Sequence, residues 1–283
     1  MNFWAQAQEQ TSLALREGAL FPLQTTEKTH VDQGYFFRLL TMTAMSEPQL
    51  AALIQAFTSP QCPFCPPLDP RLTLGETSTG HRVILNKFPV LESHLLVVSR
   101  QHLDQESYLG AEDFTASIEV LGAEDGLIFF NAGRQAGASQ PHRHIQVVKP
   151  GRLPLHEWLG KDPHGQPRLP YRHALAPLDA AAFQKEAAGA VLFATYARLL
   201  SESGAAQNPV TPGATQETPY NLLLTRQQMI IVPRGSAAAA MDIPINALGF
   251  AGIILLRDES QEQLVSSQGA VSLLAATSLA PPS

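Results

Sequence analysis

Residues 137–148 read Gly137-Ala138-Ser139-Gln140-Pro141-His142-Arg143-His144-Ile145-Gln146-Val147-Val148 and contain the pattern His-x-His-x-Gln. On a strand, residues two apart share a face, with their Cα atoms about 6.6 Å apart. His142, His144 and Gln146 then line one surface, while Arg143, Ile145 and Val147 face the other way. Just upstream, Gly137 and Ser139 offer backbone N–H groups and a hydroxyl in a turn that can approach an anion closely. Imidazoles beside an anion cradle suit attack on phosphorus, because neutral imidazole is a competent nucleophile near pH 7. Paired strand histidines also serve as metal ligands or as a plain surface pair. The glycine turn and the preceding Asn131-Ala132-Gly133 favour the catalytic reading.

Composition limits the partners. The chain has 283 residues, enough for two units or one composite domain. It is 45% hydrophobic, ample for a packed core, and carries 25 acidic against 19 basic residues for a net charge of -6. That balance argues against coating nucleic acid, which needs a net basic face, but permits one small nucleotide in a local basic pocket. The longest apolar stretches, 90–98 and 248–256, are interrupted and fall short of the roughly 20 apolar residues of a membrane span. The first 18 residues carry acidic and polar groups where a signal peptide needs an apolar stretch. Two cysteines cannot build a disulfide framework. A soluble cytoplasmic protein without nucleic-acid or membrane partners is expected.

Outward from the motif, Arg82-Val83-Ile84-Leu85, His94-Leu95-Leu96-Val97-Val98 and Gly126-Leu127-Ile128-Phe129-Phe130 read as buried strands. Gln33–Leu40 reads as a strand preceded by a turn, and 220–233 returns to strand. Helices are expected over Trp4–Ala19, Ala44–Phe57, Asp113–Leu121 and Ala180–Leu200. The Pro-rich stretch 60–70 must be irregular, since Pro continues neither ladder. Residues 201–219, low in apolar side chains, read as a mobile linker. The fold class is α+β with mostly antiparallel strands flanked by helices.

Several of these segments together resemble the diadenosine tetraphosphate (Ap4A) phosphorylases, or ATP adenylyltransferases, of the histidine-triad superfamily. The resemblance rests on Asn86-Lys87-Phe88-Pro89 with His94–Val98, on Phe130-Asn131-Ala132-Gly133, and on 137–146. Beyond the linker it rests on Tyr220-Asn221-Leu222-Leu223-Leu224-Thr225-Arg226, Met229, Val232-Pro233-Arg234 and 246–252. It implies a histidine-triad-like catalytic half, 1–150, extended by an ATP adenylyltransferase half, 151–283. His144 would take the adenylyl group, His142 would orient it or contact phosphates, and Gln146 stands where the superfamily's hydrolases carry a third histidine. Asn86, Lys87, Asn131, Gly137, Ala138, Ser139 and Gln140 would hold nucleotide and phosphates, with Asn221, Thr225 and Arg226 as candidates from the second half. The implied reaction is phosphorolysis of Ap4A to ATP and ADP, with Mg2+ accompanying the polyphosphate. Gln146 can donate a hydrogen bond but cannot take a proton from water, which favours phosphate as acceptor. A hexose-1-phosphate uridylyltransferase and a non-catalytic nucleotide sensor are the alternatives. A monomer is expected, the second half covering the sheet that smaller relatives bury by dimerising.

Other features read as bland. Cys62-Pro63-Phe64-Cys65 has zinc half-site spacing. Galactose-1-phosphate uridylyltransferases complete such a site with two histidines, a part open to His102 and His142, but the family resembled does not usually carry the pair. Two free thiols and no structural zinc are expected. His81, His156, His164 and His173 read as solvated. Phe36, Phe37, Phe129 and Phe130 read as core, and Lys28 and Arg38 as phosphate ligands only if they reach the site.

Overall fold

Helix α1 (Phe3–Arg16) begins where Asn2 accepts the N–H groups of Trp4 and Ala5 on its side-chain oxygen, satisfying donors that a helix start leaves over. Phe3, Trp4, Ala7 and Ala14 form its buried stripe. A ribbon of β1 (Thr25–Asp32) and β2 (Tyr35–Met42) follows. Gln33 and Gly34 close it at φ 51° and 86°, the two-residue turn whose twist matches antiparallel strands. Helix α2 (Glu47–Thr58) leads into 59–72, which has no regular element. The structure, a computed structural model, describes residues 2–149, 151–158, 169, 171–179, 181, 183 and 187–280.

The remaining elements are β3 (Thr73–Glu76), β4 (Arg82–Leu85), β5 (His94–Val98), α3 (Ala111–Leu121), β6 (Leu127–Asn131) and β7 (His144–Val148). After them come α4 (Leu155–Trp158), β8 (Ala174–Pro177), α5 (Ala188–Ser203), β9 (Tyr220–Leu224) and β10 (Gln228–Pro233). The chain closes with α6 (Ala247–Phe250), β11 (Ile253–Leu256), α7 (Glu259–Gln268) and α8 (Ala270–Thr277). Eight strands form one antiparallel sheet in the order β3-β4-β5-β7-β6-β9-β10-β8, and β1-β2-β11 form a second. In that second sheet β11 runs parallel to β2, with Ile253 opposite Arg38.

The sequence halves therefore share one framework. Strands β3 to β7 come from the first and β8 to β10 from the second, and β6 joins β9 with Ile128 opposite Leu224 and Asn131 opposite Asn221. Alternation along the strands separates two faces. Val83, Val97, Ile145, Val147 and Phe130 pack with α1, α3 and α5 in one core. Phe129, Leu223, Ile230 and Val232 pack with β2, α6, β11 and α8 in another. Toward the first half's edge the second face carries only a small cluster of Phe64, Ile84, Leu96 and Val98. There the sheet displays polar groups. Among the described residues no helix is long and apolar enough to cross a membrane.

Three expectations need correction. Residues 204–219 are not a loose linker: Tyr108 N–H donates to the Ala214 carbonyl at 2.9 Å, Gln216 N–H to the Glu106 carbonyl at 2.8 Å, and the Glu217 carboxylate takes the amides of Gln207 and Asn208. His81 is buried, with Nε2 3.0 Å from the Asp113 carboxylate on α3. The Ala-rich helix starts at Ala188 rather than at 180 and ends at Ser203; residues 180, 182 and 184–186, like His164, lie outside the described residues. Strand β1, too polar to be noticed in sequence, is an exposed edge strand.

Arg234 locks the halves together. Its guanidinium is buried and donates to the carbonyls of Ala136 (3.3 Å), Ile245 (2.9 Å) and Ser236, while Nε donates to the Thr277 carbonyl at 3.0 Å. Nη1 also donates to Asn221 Oδ1. An Arg234→Met change keeps the bulk but strands several buried acceptors, each costing about 1–3 kcal/mol. A fall in stability of about 3 kcal/mol or more is expected, read as a lower denaturant midpoint at unchanged slope.

Candidate active site

His144 is the first residue of β7 and is buried. Its Nδ1 lies 2.8 Å from the carbonyl oxygen of His142. A carbonyl can only accept, so Nδ1 carries the proton and Nε2 carries the lone pair. Burial lowers its pKa from 6.5 to about 4, so the ring is neutral in the physiological range. Its backbone is also held from outside the strand. Gln105, buried, accepts the His144 N–H on Oε1 at 2.8 Å and donates through Nε2 to the carbonyls of Asn131 (2.8 Å) and His144 (3.3 Å). The β6–β7 ladder stops at Phe129 opposite Gln146. Gln105 supplies the backbone partners where the two strands splay apart.

Gln146 lies on the same face as His144, and its Oε1 is 2.8 Å from His94 Nε2. His94 Nδ1 is in turn 3.2 Å from Asn86 Nδ2. The direction of this relay is fixed at its far end, where the Phe88 N–H donates to Asn86 Oδ1 at 3.1 Å. Asn86 therefore presents its NH2 to His94 Nδ1, His94 donates from Nε2, and Gln146 accepts on oxygen. The NH2 of Gln146 is left pointing away from the relay as a donor, on the face of His144. His94 was read only as part of a strand; His-Leu-Leu-Val-Val gives no sign that its first side chain meets Gln146, which is 52 positions away.

The other expected residues divide. Asn86 lies in the relay and lines a cleft of about 600 Å³ between α1, residues 20–25 and residues 85–94, with His94 on the same wall. Lys87 Nζ sits 5.7 Å from the ring centroids of both Phe21 and Phe88. His142 precedes β7, and its ring is turned to Ser99 and the two cysteines. Asn131 and Asn221 do converge, but on each other: Asn221 donates to Asn131 Oδ1 and to the Ala136 carbonyl, both at 2.8 Å, and Asn131 Oδ1 also accepts the Ala247 N–H. Both are buried and serve as the weld between halves. Gly137, at φ 91°, allows close approach to Asn246, whose Cβ would lie 2.8 Å from an added Cβ. The amides of Gly137 and Ala138 bond to the carbonyls of Arg134 and Gly133 inside the turn. They are not the anion cradle that the glycine turn suggested. Ser139 is exposed and Gln140 half-buried, two residues and one residue before Pro141.

Thr225 and Arg226 do not join the site. They sit in the β9–β10 turn, beyond the Leu224–Ile128 pair, at the end of the sheet opposite Asn221 and Asn131. Arg226 is spent on the carbonyls of Glu124 and Gly122 after α3. Lys28 pairs with Glu262 and Arg38 with Glu27, each at 2.8 Å. Among the described residues, the only convergent group of three or more metal-ligand side chains is Cys62, Cys65, His102 and His142.

His144, neutral and with its lone pair on Nε2, thus stands on a strand that continues into Gln146, whose NH2 is held as a donor, within an α+β framework. Residues 1–163 match the Ap4A phosphorylase N-terminal domain and residues 167–280 match the ATP adenylyltransferase C-terminal domain. The chain belongs to the Ap4A phosphorylase family. It is 29% identical over 229 residues to diadenosine tetraphosphate phosphorylase 2 of Saccharomyces cerevisiae, covering 70% of each chain. It is 23% identical over 207 residues to Protein APA1 of the same yeast, covering 65% of this chain and 64% of that one. Among solved structures, yeast Ap4A phosphorylase Apa2 superposes with a TM-score of 0.78 at 22% identity over 100% of this chain and 99% of that one. The same protein in complex with Ap4A gives 0.78 at 21% identity over 99% and 98%.

His94 makes stability depend on pH. Burial lowers its pKa from 6.5 to about 4, opposed by the hydrogen bond to Gln146 and reinforced by His144. The unfolded chain therefore binds a proton that the folded chain refuses, and stability falls as pH drops from above 6.5 toward 4. Between pH 7 and 5 this one group accounts for about 2 kcal/mol. Denaturant titrations of wild type and His94→Asn at both pH values should show the variant losing about 2 kcal/mol less; equal losses would contradict the assignment.

Proposed function

We propose that this chain phosphorolyses diadenosine tetraphosphate, with His144 as the carrier of the adenylyl group. The observation that carries the reading is the His144 tautomer: Nδ1–H is bound to the His142 carbonyl, so Nε2 is unprotonated and carries the lone pair. Nε2 attacks the α-phosphorus, a P–N bond forms, and the bond to the departing ATP oxygen breaks. The ring becomes cationic as it does so, and the His142 carbonyl already bonded to Nδ1–H stabilises that charge. An oxygen of inorganic phosphate then attacks the same phosphorus, the P–N bond breaks, ADP leaves, and neutral His144 returns.

The NH2 of Gln146 is the donor for a non-bridging phosphoryl oxygen, and Lys87 supplies positive charge from the rim. The cleft beside Asn86 and His94 takes a nucleoside, and Mg2+ arrives chelated by the polyphosphate, whose oxygens suit it better than thiolate or imidazole. The membership of both halves in the Ap4A phosphorylase family supports this reading over uridylyl transfer. The intact nucleophile supports it over a passive sensor. The chain acts as a monomer, since β9 takes the edge of β6 that would otherwise seek a partner. We place it in the cytoplasm, where ATP and phosphate are plentiful and Cys62 and Cys65 stay reduced.

Product analysis with Ap4A, with and without inorganic phosphate, is the direct test. ATP plus ADP only when phosphate is present is expected; ATP plus AMP irrespective of phosphate would make the chain a hydrolase. His144→Ala should lower turnover by at least about 10³-fold. Gln146→His should raise the AMP yield, because a histidine there can take a proton from water, and an unchanged AMP yield would remove Gln146 from acceptor selection.

A further inference from the structure

The sequence leaves Cys62 and Cys65 as two thiols in an irregular connection, but the fold brings them to two histidines from distant loops. We propose that Cys62, Cys65, His102 and His142 form a structural zinc site. The four ligand atoms lie within 4.8 Å of one another. Cys62 Sγ is 3.3 Å from His142 Nδ1, Cys65 Sγ is 3.3 Å from His102 Nδ1, and Cys65 Sγ is 3.6 Å from His142 Nδ1. With Zn–S about 2.3 Å and Zn–N about 2.0–2.1 Å, the sulfur–nitrogen edges of a tetrahedron are about 3.6 Å. The observed separations are those of a ligand set around one small ion.

The orientation of His142 points the same way. Its Nε2 is 2.9 Å from the Ser99 carbonyl, so Nε2 carries the proton and Nδ1 turns its lone pair between the two sulfurs. A carbonyl behind the imidazole is the support a metal-bound histidine ordinarily has. Two sulfur and two nitrogen donors without a carboxylate select zinc over magnesium or calcium. Four protein ligands leave no open position, so the metal holds structure rather than reacts.

What it would hold is specific. Residues 59–72 contain no regular element, and the apolar cluster beneath them is small. Phe64, between the two cysteines, lies 5.1 Å from the His144 ring and 5.9 Å from the His142 ring, centroid to centroid. A metal binding both cysteines and His142 fixes Phe64 over the nucleophile and fixes the residue whose carbonyl sets the His144 tautomer. The inference stands on the ligand geometry and is independent of which reaction His144 performs.

The test uses the full chain purified without chelator from zinc-supplemented medium. Elemental analysis should find about one zinc per chain. Replacement by Co2+ should give the ligand-field and thiolate charge-transfer bands of a tetrahedral sulfur–nitrogen site. Those bands should vanish in the Cys62→Ser/Cys65→Ser double variant. His102→Ala, at an exposed position, should weaken zinc retention against a chromogenic chelator by at least about ten-fold while the chain stays folded. Removal of zinc should lower the thermal midpoint of the wild type. The proposal fails if the protein is metal-free with both thiols equally reactive before and after chelation, if Cys62 and Cys65 are found as a disulfide, or if the cobalt spectrum survives the double variant.

Discussion

The hydrogen bond from His144 Nδ1–H to the His142 carbonyl is the constraint on which the arrangement of the site depends. An imidazole free to choose its tautomer presents a lone pair on either nitrogen, and this bond leaves it on Nε2 alone. The donor and acceptor here belong to residues two apart, so the bond exists only while the backbone from 142 to 144 keeps its path. That path is held by the Arg143 N–H on the Leu103 carbonyl at 2.8 Å and by the Gln105 side chain on both backbone groups of His144. On the far face, Arg143 reaches the buried Asp113 of α3 at 3.2 Å. His144 is thus oriented through its backbone, and one bond sets its ring.

The second constraint runs along the sheet rather than along the strand. Phe88, Asn86, His94 and Gln146 form a chain in which each group has one permitted orientation because its neighbour can only donate or only accept. The chain starts at a backbone N–H, which cannot reverse, and ends by turning the NH2 of Gln146 outward. A glutamine without that relay could present its oxygen and repel a phosphoryl group. With it, Gln146 is held as a donor on the face of His144.

Much of this was legible in the chain. Alternation over 142–148 placed His144 and Gln146 on one face and Arg143, Ile145 and Val147 on the other, because period two is a property of the backbone alone. The strands around Val83, Leu95 and Phe129 were legible as short continuous apolar runs. What failed was reasoning that needed to know which ends meet. Thr225 and Arg226 follow Asn221 closely in sequence, yet a five-residue strand carries them to the opposite end of the sheet. Asn131 and Asn221 resembled ligands because each is a polar residue at a strand end, and their pairing depends on β6 and β9 becoming neighbours. Gln105 and His94 gave no signal, since their partners are 39 and 52 positions away. Residues 204–219 are poor in apolar side chains, but their carbonyls accept from and their amides donate to other loops, and composition does not count those bonds.

The joint between the halves ties the position of His144 to the second half. β6 alone would end in an unpaired edge beside β7, and Asn131 at its tip would have a buried polar side chain without partners, which costs free energy comparable to a lost hydrogen bond. β9 covers that edge, Asn221 and the Ala247 amide satisfy Asn131, and Arg234 ties both to the turn carrying Ala136. That turn leads through Gly137 and Ala138 directly to His142. The C-terminal half therefore holds one end of the segment that precedes His144, and Cys62, Cys65 and Ser99 meet the ring of His142 at the other. His144 sits between two clamps, and loosening either one frees the carbonyl that decides where its lone pair points.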